Sequence, residues 1–133
     1  MGYSIAYLPD SQVVKIDETY TDGAIFQLQR SIDNGQVIPE KYDHASVIYD
    51  CDKSIPFEES NPDHYPLKVF GKGQQLFISG VSAGYGGEGP HGTLKCLEML
   101  GFKLTEDEEN LVLTKKRNIY GEEIPKINVV FNK

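Results

Sequence analysis

The segment with the most chemical potential is Ser82-Ala83-Gly84-Tyr85-Gly86-Gly87-Glu88-Gly89-Pro90-His91-Gly92-Thr93. Five of the nine residues from Gly84 to Gly92 are glycine. Such a run costs backbone entropy, and it marks positive φ or a close approach of main chain to something else. An apolar strand leads in, and a helical pattern with Leu94, Leu97, Met99 and Leu100 leads out. Pro90 suits the first helical position, where its missing N–H is no loss. Strand, glycine-rich loop and helix start together aim free N–H groups and the positive end of the helix dipole at one spot, an anion-binding geometry. The candidate ligand- or partner-binding residues are therefore Gly84, Tyr85, Gly86, Gly87, Gly89, His91, Gly92 and Thr93. Backbone amides around Gly89–Thr93 supply donors, Tyr85 an aromatic anchor, and His91 a charge that appears as pH falls. The same loop also serves as a plain crossover, or as a protein-recognition loop presenting Tyr85 and His91.

Residues 84–89 match G-x-G-x-x-G literally, and the acids at Glu106–Glu109 fall where a ribose-binding carboxylate would be expected. A dinucleotide-binding domain is nevertheless excluded. Those acids sit in an expected hairpin turn, Glu88 places negative charge inside the would-be phosphate cradle, and one βαβ unit is far short of a doubly wound sheet. No Gly-Lys-Ser/Thr closes a Walker loop.

No catalytic constellation stands out. His91 and Cys96 are five apart and do not share a helix face. Cys96 belongs to an apolar pattern, and Cys51 between Asp50 and Asp52 has its thiolate disfavoured by like charge. His44, His64, Asp43, Asp50, Cys51, Asp52 and Asp63 cluster in the middle third, but no pair has zinc-site spacing. Glu58-Glu59 and Glu122-Glu123 read as solvated loop carboxylates. The expectation is a non-enzyme with no cofactor and no metal.

The elements that must position these residues follow from local signals. Only four alanines accompany 11 isoleucines and 9 valines, which favours strands. Tyr3–Leu8 and Gln12–Asp17 read as strands around Pro9-Asp10-Ser11. Asp22 is placed to cap a helix over residues 23–33, with Ile25, Leu28 and Ile32 on one face and Asn34-Gly35 as its stop. Residues 36–66 form a loop-rich middle with a strand at Ala45–Asp50. Leu67–Phe70 and Gln75–Val81 flank a Gly71-Lys72-Gly73 turn. A helix over Pro90–Leu100 ends at Gly101, with Phe102 packing back on Leu97. Phe102–Thr105 and Leu111–Lys115 form a hairpin around the acidic turn 106–110, and Ile127–Phe131 is the last strand. The reading is one α+β domain over residues 1–133: two layers, a mostly antiparallel sheet, and two short helices on one face.

Length and charge narrow the function. The 133 residues allow one domain, and Leu, Ile, Val and Phe make up about a quarter of them, enough for a core. No apolar run approaches the ~20 residues of a membrane span, and no signal-peptide pattern opens the chain. Net charge is −7. Residues 1–66 hold 4 basic and 12 acidic side chains, and residues 67–133 hold 9 and 8. An acidic patch built mainly from the first half is expected, repelling nucleic acid and attracting a basic protein. Two cysteines are too few for a disulfide framework and read as reduced thiols in the cytoplasm. Eight tyrosines without tryptophan, several beside acids, suit a surface that covers a basic site. The leading reading is a non-enzymatic inhibitor or neutraliser of a partner protein, of the immunity, antitoxin or anti-defence type. The alternative is a binder of a nucleotide-like or phosphorylated small ligand at the glycine-rich loop. A homodimer through free sheet edges is compatible with either.

Overall fold

The computed structural model of the protein describes residues 2–8, 11–48, 65–83, 86–114, 120 and 128–133, with backbone alone for residues 2–8, 11 and 128. Six strands form one sheet: β1 (Gly2–Leu8), β2 (Ser11–Asp17), β3 (Tyr42–Ile48), β4 (Leu67–Gly71), β5 (Gln74–Ile78) and β6 (Asn128–Asn132). Their spatial order is β1-β2-β5-β4-β3-β6. Four ladders are antiparallel, and β2–β5 is parallel. Three helices, α1 (Thr21–Asp33), α2 (Glu88–Met99) and α3 (Glu106–Leu113), share one core with one face of the sheet. This is an α+β two-layer arrangement with a mostly antiparallel sheet.

Side chains alternate between faces along a strand, so the ladder register dictates what lines each face. Toward the helices, one row runs Val14–Leu76–Val69–Ala45–Phe131 across five strands, and the next runs Ile16–Ile78–Leu67–Val47–Val129. Nine of these ten are at most 1% exposed, and Val129 packs against them. Ala24 and Leu28 of α1, Cys96 and Leu97 of α2, and Val112 of α3 cover the rows.

Local signals read from the sequence act as expected at several points. Lys72-Gly73 turns the β4–β5 hairpin. The helix over 21–33 stops at Asn34-Gly35. At the end of α2, the Gly101 N–H donates to Glu98 O at 3.0 Å and the Phe102 N–H to Leu97 O at 2.9 Å. With Gly101 at φ 89°, this is the expected Schellman stop.

Four expectations are corrected. The hairpin around 106–110 is instead the helix α3, so the helical layer has three members. Its start is a capping box: Thr105 Oγ accepts from the Glu108 N–H, and the Glu108 carboxylate accepts from the Thr105 N–H. Four acids in the first turn then complement the dipole. Asp22 does not cap α1; Tyr20 holds the N-cap position without a side-chain bond, and Asp22 lies in the first turn. Pro90 is the third residue of α2, still among the positions whose N–H has no partner one turn back. The first strand of the middle region begins at Tyr42 rather than Ala45, with an irregularity between Tyr42 and His44. The expected strand residues Tyr49 and Asp50, and most of the loop over 118–126, lie outside the described residues. Among the described residues no helix is long and apolar enough to cross a membrane.

Candidate functional site

The glycine-rich segment leaves the sheet at the carboxyl end of its parallel pair. Both β2 and β5 end there, α1 follows β2, and α2 follows β5. Two helix starts therefore meet at one corner. Ser79 staples the strand ends: its N–H donates to Ile16 O at 2.9 Å, its hydroxyl lies 2.9 Å from Glu18 O, and its oxygen accepts the Glu18 N–H at 2.9 Å. Thr21 Oγ1, at the first position of α1, donates to Gly80 O at 3.0 Å. Gly80 carries the positive φ of this corner, 86°. A Cβ built at Gly92 would stand 2.2 Å from Thr21 Cγ2. Gly92 is thus the contact that lets α1 and α2 approach.

The predicted residues divide by role. Thr93 is fully buried and donates to Ser82 O at 2.6 Å, while the Ser82 N–H donates to Gly89 O at 3.3 Å. These bonds hold the loop to the helix. Gly92 is a packing residue between the helices, and the Thr93 hydroxyl staples the loop. The His91 N–H is used on Gly87 O at 3.2 Å, so amides from His91 onward are not the open donors expected of Gly89–Thr93. His91 itself is exposed, and its Nδ1 lies 2.8 Å from the same carbonyl. A carbonyl only accepts, so the Nδ1 carries the proton in this contact. Gly87 is the N-cap of α2, Gly86 is exposed with open space around it, and neither has the positive φ expected of the loop. Gly84 and Tyr85 lie outside the described residues.

Electrostatics at the corner favour the protein's own carboxylates. Glu88 opens α2, Asp22 lies in the first turn of α1, and the Glu18 carboxylate sits over Gly23, 3.0 Å from where a Cβ would be. Each supplies negative charge where a helix start attracts it.

Among the described residues, acids gather on the helical layer. The three helices carry Asp22, Asp33, Glu88, Glu98, Glu106, Asp107, Glu108 and Glu109 against Arg30 and Lys95. Six of these eight acids come from the second half of the chain; half of the acids of residues 1–66, including Asp50, Asp52, Glu58, Glu59 and Asp63, lie outside the described residues, as does that part of the expected patch. Phe26 on α1 is 62% exposed and Tyr20 before it is 77% exposed.

Other candidates separate clearly. Cys96 is a free thiol, fully buried, and burial pushes its pKa up to about 12. It therefore stays protonated and inert. Asp43 pairs with His44 Nδ1 at the sheet rim. Cys51, Asp50, Asp52, Glu58, Glu59, Asp63, His64, Glu122 and Glu123 lie outside the described residues. Among the described residues no group of three or more His, Cys, Asp or Glu is placed to hold a metal ion. Searches against family models, curated proteins and solved structures returned no match to this chain.

Proposed function

We propose that this protein is a non-enzymatic binding protein that engages a basic partner protein through its helical layer, acting as an inhibitor or neutraliser in the cytoplasm. The observation that carries this reading is the gathering of eight acids against two bases on α1, α2 and α3. Exposed Phe26 and Tyr20 lie on and just before α1. Like-signed charge around an exposed aromatic anchor suits steered association followed by desolvation of the ring. The reduced, buried Cys96 is compatible with the cytoplasm.

The test is quantitative capture from lysate of the source cell. Wild type is compared with a Glu106→Lys/Asp107→Lys/Glu109→Lys variant and with Phe26→Ala. A basic protein retained by wild type, and lost by both variants in their folded form, supports the reading. Its association rate should also fall steeply as salt rises toward ~0.15 M, where the Debye length is ~8 Å. Equal capture by all three forms refutes the helical layer as the interface.

A second reading is supported by the corner where α1 and α2 start side by side behind the parallel pair. An anionic small ligand, nucleotide-like or otherwise phosphorylated, would meet the starts of both helices there in competition with the carboxylates of Glu18, Asp22 and Glu88. A thermal-shift panel of nucleotides and phosphates tests it. A ligand at 100 times its Kd adds about 2.7 kcal/mol of stability, and a flat panel removes the reading.

A further inference from the structure

The face of the sheet turned away from the helices carries a second surface of different chemistry. Lys15 pairs with Phe77 across β2–β5, and Lys68 pairs with Phe77 across β4–β5, so a phenyl ring stands between two lysines on three adjacent strands. Lys68 Nζ lies 5.8 Å from the Phe77 centroid. In the neighbouring row His44 pairs with Phe70, their rings 19° from parallel at 5.1 Å, and Phe70 meets Phe77 edge-on at 6.3 Å. All of these side chains are only partly buried. Towards β6 the Lys68 row passes through the buried Ser46 to Val130, which is 55% exposed, and the buried Tyr65 ring lies 5.7 Å from one side of Phe77.

We propose that this face binds single-stranded nucleic acid, with bases stacked on Phe77 and on the His44–Phe70 pair and phosphates held by Lys15 and Lys68. Every base offers a π-face, so a sheet that presents rings between cations recognises a single strand without reading its sequence. A duplex keeps its bases stacked internally and gains only the lysines. Among the described residues, Asp17 and Asp43 lie at the margins, Asp17 accepting from Tyr65 OH at 2.5 Å and Asp43 paired with His44 Nδ1. The acidic helices lie on the opposite side of the sheet; at ~0.15 M salt the Debye length of ~8 Å screens their repulsion, whereas at low ionic strength it opposes binding. Whole-chain charge argues against nucleic acid; this face escapes that argument because the helices carry most of the described acids. The surface is independent of the helical interface proposed above, and separate substitutions report on each.

The experiment is fluorescence anisotropy of a labelled thymidine oligonucleotide and its RNA counterpart at low ionic strength, with thermal melts to confirm folding. Two phosphate contacts predict a slope of about −1.4 in log affinity against log salt. Lys15→Glu and Lys68→Glu should each weaken binding roughly tenfold. Phe77→Leu, which keeps the apolar bulk and removes the ring, should weaken it by about 5- to 100-fold. Glu106→Lys on the helical layer should not weaken it. No binding at low salt overturns the proposal. So does equal affinity for duplex, or affinity indifferent to all three sheet-face substitutions. Retention of an acidic peptide in place of the oligonucleotide also overturns it, and would assign the face to protein.

Discussion

The two faces of the sheet come from the same strands and the same alternation, yet one excludes water and the other half-admits it. On the helix side, rows of aliphatic residues run unbroken from β2 to β6 and are sealed by three helices. On the other side, lysines, a histidine and phenyl rings stay partly exposed, while Val13, Ser46 and Ile48 at the same alternate positions are buried. Close-packed interiors lose stability for each missing or extra methylene, while a half-open surface absorbs such changes. The comparison also separates functions. Charge on the helices and rings on the sheet suit opposite kinds of partner, the two proposals made above for one two-layer domain.

Substitutions can break or sharpen this contrast. The largest effect is expected from Leu76→Ala, at the centre of the sealed face and fully buried: a loss of 2–5 kcal/mol, roughly, read from urea unfolding. A loss below 1 kcal/mol, roughly, would mean that the helices do not seal this face. Next comes Gly92→Ala, whose methyl would collide with Thr21 Cγ2. We expect a loss of about 1–3 kcal/mol, partly recovered in Gly92→Ala/Thr21→Ser, which removes the obstructing methyl and keeps the hydroxyl. Gly86→Ala, with open space around it, should be nearly neutral; equal losses at both glycines would show that helix contact is not what Gly92 provides.

Alkaline pH probes the sealed face in another way. Burial pushes Tyr42 from its ordinary 10.0, and Cys96 from 9.0, up to about 12 each. The unfolded chain releases these protons first, so the native state binds more protons through this window. Stability is full below about pH 9 and falls from there toward pH 12, by up to about 1.4 kcal/mol per pH unit for each group. Among the described residues the Tyr42 hydroxyl has no hydrogen-bond partner, so Tyr42→Phe should flatten this decline without destabilising the protein at neutral pH. An unchanged slope in Tyr42→Phe would remove Tyr42 as a cause. Smaller still is Thr105→Ala, which deletes the capping box of α3 and should cost about 1 kcal/mol. An unchanged melting temperature would show that α3 is held by Val112 packing alone. The smallest effect belongs to the other face: Val130→Thr, at an exposed position, should stay within about 0.5 kcal/mol.

Much of the candidate corner was legible, and the limits are instructive. The glycine-rich loop between a strand and α2 could be read from composition alone, as could the Gly101 stop. What composition did not show is the structural work these residues do. The Thr93 hydroxyl is engaged on Ser82 O within its own loop. Gly92 brings the main chain of α2 close to Thr21. A small or hydroxylated residue at a helix start has the same local signature whether its neighbour is a ligand or another helix. The helix α3 was legible too, through Thr105 and Glu108 three residues apart, a signal outweighed by the density of acids that resembled a turn.

By itself the sequence determined the α+β class, the Lys72-Gly73 turn, the C-terminal stops of α1 and α2, and a buried, reduced Cys96, because turns, caps and apolar periodicity act over a few residues. Tertiary structure alone decided the neighbours. The parallel pairing of β2 with β5, the strand order, the meeting of Thr21 with Gly92, and the placing of Phe77 between Lys15 and Lys68 all join residues far apart in the chain. Loop-closure entropy rises only slowly with loop length, so chain distance does not select between competing pairings. The selection comes from which register buries both aliphatic rows beneath the helices at once. A one-residue slip would turn those rows to the open face, and the lysine–phenyl–lysine row follows as the other side of that same register.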